Sequence, residues 1–184
     1  MSNREIKIGV AGLGTVGSGV INLLKKNEKE IRKKSGFDIK IQCVSSKNKN
    51  KKRNCDISNL NFYSDPLEMI ENEDIDILVE LIGGETEAKD LVLKSLKKNI
   101  HVVTANKALI ALHGNELSKS IDDSRCDLYY EASVAGAVPI IRVIKESLNA
   151  NDIDWVAGII NGTTNYILTE MLKSKKDFDL VLKE

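Results

Sequence analysis

Three glycines, Gly12, Gly14 and Gly17, follow directly on a short aliphatic run, Ile6-Lys7-Ile8-Gly9-Val10-Ala11. Glycine at the first position admits a tight turn. At the second it lets the backbone approach a bulky anion with no Cβ in the way, and at the third it lets a helix lie close on a strand. With Leu13, Thr15 and Val16 between them, these residues offer backbone N–H groups at a helix start, where the dipole also favours an anion. The glycine triplet alone is weak, because glycines shape many turns. Its weight comes from the strand pattern before it and the helical pattern after it. In that setting residues 12–17 are a candidate cradle for the pyrophosphate of a dinucleotide.

The next chemistry-bearing stretch ends the second strand pattern: Val44-Ser45-Ser46-Lys47. A carboxylate there would hold a ribose 2′-hydroxyl, as NAD requires. Ser45, Ser46 and Lys47 instead suit the extra charge of a 2′-phosphate, which favours NADP, with NAD as the alternative. Lys49, Lys51, Lys52 and Arg53 extend the positive field, although each taken singly reads as a solvated loop cation. A nucleic-acid patch is not indicated: 27 basic residues balance 27 acidic ones, and the run has no interleaved aromatics.

The elements that must position these groups alternate. Strand patterns at 6–11, 39–44, 75–82, 100–103 and 126–130 alternate with helical ones after the glycine turn, near 67–70, at 87–98 and at 105–120. Gly36 is placed to stop the first long helix. Residues 45–61 are polar and read as a mobile surface loop. Strand-helix alternation implies an α/β, Rossmann-type doubly wound parallel sheet covered on both faces. Beyond residue 131 the pattern changes: a helix over 139–148, a strand over 153–160, a helix over 163–172, and a last segment from Asp177. The expected division is 1–130, a dinucleotide-binding domain, and 131–184, the incomplete start of an α+β domain for substrate and dimerisation.

The 184 residues are 42% hydrophobic and 29% charged, an ordinary globular composition. Cys43, Cys55 and Cys126 form no Cys-x-x-Cys pair and are odd in number, which argues against a disulfide framework or a zinc site and for a reducing cytoplasm. No secretory signal pattern opens the sequence. No apolar run nears the ~20 residues needed to cross a bilayer. His101 and His113 lack partners at metal-ligand spacing and read as structural.

Four blocks carry a more specific resemblance. They are Asp76-Ile77-Leu78-Val79-Glu80-Leu81-Ile82-Gly83-Gly84, His101-Val102-Val103-Thr104-Ala105-Asn106-Lys107-Ala108-Leu109, Tyr130-Glu131-Ala132-Ser133-Val134-Ala135-Gly136 with Pro139-Ile140-Ile141, and Gly158-Ile159-Ile160-Asn161-Gly162-Thr163-Thr164-Asn165-Tyr166-Ile167-Leu168. In order and spacing they resemble the homoserine dehydrogenases. The resemblance implies hydride transfer between a nicotinamide cofactor and the aldehyde of aspartate 4-semialdehyde, giving homoserine, a step toward threonine and methionine. It also implies a homodimer for the complete enzyme.

Lys107 by itself reads equally as an active-site ammonium or as a surface lysine at a helix start, where the dipole slightly disfavours it. The resemblance assigns it to the active site, facing nicotinamide and substrate, and adds Gly83 and Thr104 to the cofactor contacts. It matches Glu131, Val134, Gly136 and Val138 to a monovalent-cation site, with sodium as the ion. The other reading is a domain-crossing turn with Glu131 as a hydrogen-bonding group. The family often has glycine where this chain has Ala137. Gly162 and Thr163 either contact substrate or begin a helix that Thr163 caps.

The family's second lysine, its neighbouring aspartate and its amine-binding glutamate find no match in 173–184. The expectation is therefore a fragment that holds the cofactor site and turns over poorly. Two rival readings are a dehydrogenase for another amino-acid-derived carbonyl and a non-catalytic redox-sensing module that binds dinucleotide.

Overall fold

The computed structural model describes residues 4–184. Strand β1 (Arg4–Ala11) leads through the glycine turn into α1 (Thr15–Ser35). Helix α1 ends where Gly36 turns left-handed at φ 77° and donates its N–H to the Arg32 carbonyl, the glycine stop that the sequence predicts. Arg32, Lys33 and Lys34 in its last turn complement the dipole. Strand β2 (Phe37–Ser45) follows, then β3 (Asn61–Tyr63) and α2 (Pro66–Asn72). Asp65 caps α2 by accepting from the Leu67 N–H, with Pro66 in the first turn, where its missing N–H is harmless.

Then come β4 (Ile77–Glu80), α3 (Thr86–Lys97), β5 (His101–Thr104), α4 (Lys107–Asp122) and β6 (Leu128–Tyr129). All pairings are parallel, in the order β3-β2-β1-β4-β5-β6. On one face Met69 and Ile70 of α2, Leu91, Val92 and Leu96 of α3, and Leu109 and Leu117 of α4 pack with Cys43, Leu78 and Val102. On the other, Ile21 of α1 packs with Ile8, Val10, Val44 and Val79. Each such large aliphatic side chain contributes roughly 1.5–3 kcal/mol on burial. Cys43 lies inside this core. Burial, helped by the negative charge of Glu73, pushes its thiol up to about 12, and all three cysteines are free.

One strand is missed by the sequence reading and one is wrongly expected. Strand β3 closes the stretch read as a mobile loop. Three residues are too few to show a period, and only pairing with Cys43–Ser45 reveals them. The loop itself is tied down: Asn22 donates to the Asn54 carbonyl at 2.6 Å, and Lys25 to that of Asp56 at 2.7 Å. The strand expected over 153–160 does not form. That stretch has no regular structure, with Ile160 at 95% exposure, and no neighbouring strand among the described residues offers it a ladder.

The chain divides into two compact units, the first ending at Arg142 and the second spanning Val143–Glu184. The change of pattern in the sequence lies earlier, near 131. Residues 131–142 stay with the first unit because Ser133 donates to the Thr104 carbonyl at 3.0 Å and the Glu131 carboxylate accepts from the Ile141 and Arg142 N–H groups. Those last bonds start the short helix α5 (Ile140–Arg142). The smaller unit holds a π-helical turn (Val143–Ser147), α6 (Gly162–Ser174) and α7 (Phe178–Lys183).

Candidate functional site

Strand register aligns the candidate residues. Tyr63 pairs with Ser45, Ser45 with Ala11, Ala11 with Glu80, and Glu80 with Thr104. These five residues form one row across the sheet, close to its carboxyl edge. The ladder continues just past the row: Ser46 N–H to Tyr63 O, Gly12 N–H to Ser45 O, Leu81 N–H to Ala11 O and Ala105 N–H to Glu80 O. The glycine turn, Ser46-Lys47, Gly83 and Lys107 thus all leave the same edge. With strands ~4.8 Å apart, β1 and β5 are about 10 Å from one another. The strand order reverses between β1 and β4, the place where open α/β sheets bind ligands.

The three glycines have separable roles. Gly12 has φ 100°, and a Cβ on it would lie 2.4 Å from the Leu81 carbonyl oxygen. A Cβ on Gly17 would lie 1.9 Å from the Gly12 carbonyl oxygen. A Cβ on Gly14 meets nothing within 4 Å. The fold therefore requires the first and third glycines, while the second opens onto free space. Leu13 is buried, and Thr15 and Val16 are exposed at the helix start. The first turn of α1 has no acidic residue and no side-chain cap, so its N–H groups face outward for an anion.

A cleft of about 360 Å³ runs between the end of β2 and the loop after β4. Ser45, Ser46 and Lys47 line one wall, and Gly83, Glu85 and Glu87 the other. Ser45 is 1% exposed and its hydroxyl has no hydrogen-bond partner, a buried polar group of the kind a ribose or phosphate oxygen would satisfy. Lys47, 87% exposed in its side chain, pairs with Glu87 across the mouth at 3.5 Å. Arg53 turns inward: it donates to the Ser46 hydroxyl at 3.0 Å, to the carbonyls of Lys49 and Lys51, and to that of Asn48. It shapes the loop instead of lying open to a ligand.

Beneath the Gly83 wall lies a polar network in which the sequence-based candidates Gly83 and Thr104 are joined by two residues outside that set, Glu80 and Asn106. Glu80 is 0% exposed. One carboxylate oxygen accepts from the N–H groups of Ile82 (2.9 Å) and Gly83 (3.3 Å), and the other from the Thr104 hydroxyl (2.5 Å). Thr104, also fully buried, accepts from the Asn106 N–H at 3.0 Å. Asn106 donates to the Gly84 carbonyl at 2.7 Å and caps α4 by accepting from the Leu109 N–H at 3.1 Å. Lys107 is the next residue, exposed at the first position of α4. The sequence reading starts this helix at 105 and so places Asn106 within it; Asn106 is its cap. Glu80 has only the signal of a carboxylate ending a buried apolar run.

The remaining candidates belong to other elements. Val134, Gly136 and Val138 follow Glu131 in the turn after β6. Both Glu131 oxygens accept backbone N–H groups of α5, at 3.1 and 2.9 Å. As placed, this carboxylate starts a short helix, the hydrogen-bonding role that the sequence also allows. Gly162 and Thr163 belong to the smaller unit, both exposed at the start of α6. Asn161, not Thr163, caps that helix, by accepting from the Thr164 N–H at 2.9 Å.

A parallel sheet in this order, with a glycine turn at the point of reversal and a cleft beside it, defines a Rossmann-class dinucleotide-binding domain. A family model for the homoserine dehydrogenase NAD binding domain matches residues 12–131, and one for homoserine dehydrogenase matches 139–184. The homoserine dehydrogenase of Pseudomonas aeruginosa is 45% identical over 181 residues, which is 98% of this chain and 41% of that protein. That of Bacillus subtilis is 40% identical over 181 residues, covering 98% of this chain and 42% of that protein. The crystal structure of the Thiobacillus denitrificans enzyme matches with a TM-score of 0.88 at 40% identity, covering 98% of this chain and 42% of that one. The chain belongs to the homoserine dehydrogenase family, and it spans about two fifths of the length of the curated relatives it matches. Among the described residues, no helix is long and apolar enough to cross a membrane.

Proposed function

We propose that these residues form the dinucleotide site and one active-site lysine of an enzyme that interconverts aspartate 4-semialdehyde and homoserine. The observation that carries this reading is the single row Ser45–Ala11–Glu80–Thr104, which sends the glycine turn, the Ser45 wall and Lys107 off one sheet edge. The nicotinamide cofactor supplies the hydride chemistry when bound. The N–H groups of residues 14–17 hold its diphosphate, and Ser45, Ser46 and Lys47 hold the adenosine ribose. Gly83 and Lys107 lie toward the nicotinamide. The Lys107 ammonium draws in the substrate carboxylate and stabilises negative charge that develops on the aldehyde oxygen.

Lys47 and the absence of an acid at the end of β2 support NADP over NAD, while Glu85 and Glu87 act against a 2′-phosphate from the opposite wall. Calorimetric titration of the 184-residue chain with NADPH and NADH tests this. The expected result is tighter NADPH binding, with the preference reduced several-fold in Lys47→Ala; tighter NADH binding refutes it. In a full-length enzyme carrying these residues, Lys107→Ala is expected to lower kcat by about 10²–10³, the usual loss for one oxyanion-stabilising group, with cofactor affinity nearly kept. Unchanged turnover would refute the assignment and favour a sensing role. The 184 residues alone are expected to turn over little, because a positioned general acid, worth about 10²–10⁴ in rate, is assigned by the family to segments they do not match.

A further inference from the structure

We infer that Glu80 is a positioning residue that joins the nicotinamide-side loop to the Lys107 helix. The inference rests on the dinucleotide reading above. A carboxylate buried at 0% exposure is costly unless its lone pairs are met. Glu80 meets three donors at once: two loop N–H groups on one oxygen and a hydroxyl on the other. Its partners belong to different parts of the cleft. Ile82 and Gly83 begin the β4–α3 loop, whose Gly83 and Gly84 are both left-handed, at φ 72° and 76°. A Cβ built on either glycine would meet nothing within 4 Å, so no packing fills the side-chain positions of this loop. Its shape rests on Glu80 below and on the Asn106 amide, which holds the Gly84 carbonyl.

Thr104 completes the link. Its hydroxyl donates to Glu80 and accepts from the Asn106 N–H. Asn106 then holds the loop with its amide and the first turn of α4 with its oxygen. A shift of the Gly83 loop reaches Lys107 through Glu80, Thr104 and Asn106. The second wall of the cleft, at Ser45 and Lys47, shares none of these bonds.

That asymmetry gives a test that a purely structural role would fail. Two ligands are titrated into the 184-residue chain: NADPH, and 2′,5′-ADP, which carries the adenosine end without nicotinamide. Glu80→Gln keeps an acceptor for the two loop amides but presents an NH₂ to Thr104, whose hydroxyl proton then loses its acceptor. The expected result is about tenfold weaker NADPH binding, the loss of one charge-assisted hydrogen bond. Affinity for 2′,5′-ADP should change less than about twofold, well below that single-bond effect. The change in reduced-nicotinamide fluorescence on binding should shrink as well. Thr104→Ser should restore wild-type NADPH affinity, and Thr104→Val should fall with Glu80→Gln. Equal losses for both ligands, or no loss for NADPH, would overturn the proposal, because Glu80 would then support the fold as a whole or nothing in the cleft. If the wild-type chain binds neither ligand, the dinucleotide reading falls first and takes this proposal with it. The Thr104 pair keeps the test sound should Glu80→Gln fail to fold.

Discussion

Gly14→Ala and Gly17→Ala, made side by side, should separate a glycine kept for a ligand from a glycine kept for packing. A Cβ on Gly17 would lie 1.9 Å from the Gly12 carbonyl oxygen and 3.0 Å from its carbon. Neither atom belongs to a flexible side chain, so the start of α1 must lift from the turn. Overpacking of a core usually costs about 1–3 kcal/mol. A backbone-on-backbone clash stands at the top of that range, so a loss of about 3 kcal/mol is expected, or roughly 10 °C in Tm for a domain of this size. Gly14 has φ −74° and ψ −159°, which alanine also adopts, and nothing lies within 4 Å of the added carbon. Gly14→Ala should therefore leave stability unchanged or raise it by about 0.4–1 kcal/mol through the unfolded chain.

The same methyl group would stand where a diphosphate must approach. If it displaces one or two charge-assisted N–H bonds worth about 1.5–3 kcal/mol each, NADPH affinity falls by about a hundredfold. Urea denaturation gives the stabilities and calorimetry the affinities. The crossed outcome is required: Gly17→Ala unstable, Gly14→Ala stable but weakly binding. A Gly14→Ala chain that holds NADPH as well as wild type would refute the cradle, and one as unstable as Gly17→Ala would refute the packing argument.

Two further perturbations concern stability alone. Hydrogen bonds from Lys94 first and Lys98 second hold Glu71 well below its ordinary value of 4.5, down to about 2. A carboxylate depressed in the folded state contributes stability above its unfolded value and loses it as pH falls through the folded one. The Tm gap between wild type and Glu71→Gln should be full above about pH 5 and close as pH drops toward 2; a gap that is constant or widens in acid refutes the pairing. Ala137 sits at φ 70°, where alanine pays a steric penalty that glycine does not. Ala137→Gly should raise stability by about 0.5–1 kcal/mol, measured by denaturant midpoint, and a loss would show that the left-handed turn is not strained.

The sequence showed the elements that announce themselves locally. Helix α1 is bracketed by a glycine turn and a glycine stop, and α3 shows its apolar stripe at Ala88, Leu91, Val92 and Leu96. Features that depend on a partner were illegible. Strand β3 exists only as a pairing with β2. Residues 153–160 have an apolar pattern fit for a strand, yet without a neighbour their backbone groups join no ladder. Segment 131–142 belongs to the first unit through side-chain bonds from Glu131 and Ser133 that no periodicity reports. Arg53, read as part of a positive field, keeps its charge, but its two terminal nitrogens are taken up by the carbonyls and a hydroxyl of its own loop, which no sequence pattern reports.

The same distinction explains why Lys107 is a candidate from the sequence and Glu80 is not. Lys107 by itself reads equally as a surface lysine at a helix start, and the family-like block from His101 to Leu109 makes it a candidate. Glu80 is one letter at the end of an aliphatic run, and its meaning depends on register. A shift of β4 by one residue against β1 and β5 would turn its side chain to the opposite face of the sheet. It would also part the carboxylate from Thr104, which is 24 residues away in sequence and adjacent only because Glu80 and Thr104 pair. The aliphatic residues Leu78 and Val79 fix that register by filling opposite cores. The packing that makes the sheet stable therefore also sets the Gly83 loop and Lys107 at a fixed distance from each other, and a core substitution that let β4 slip would disturb the cleft before it unfolded the domain.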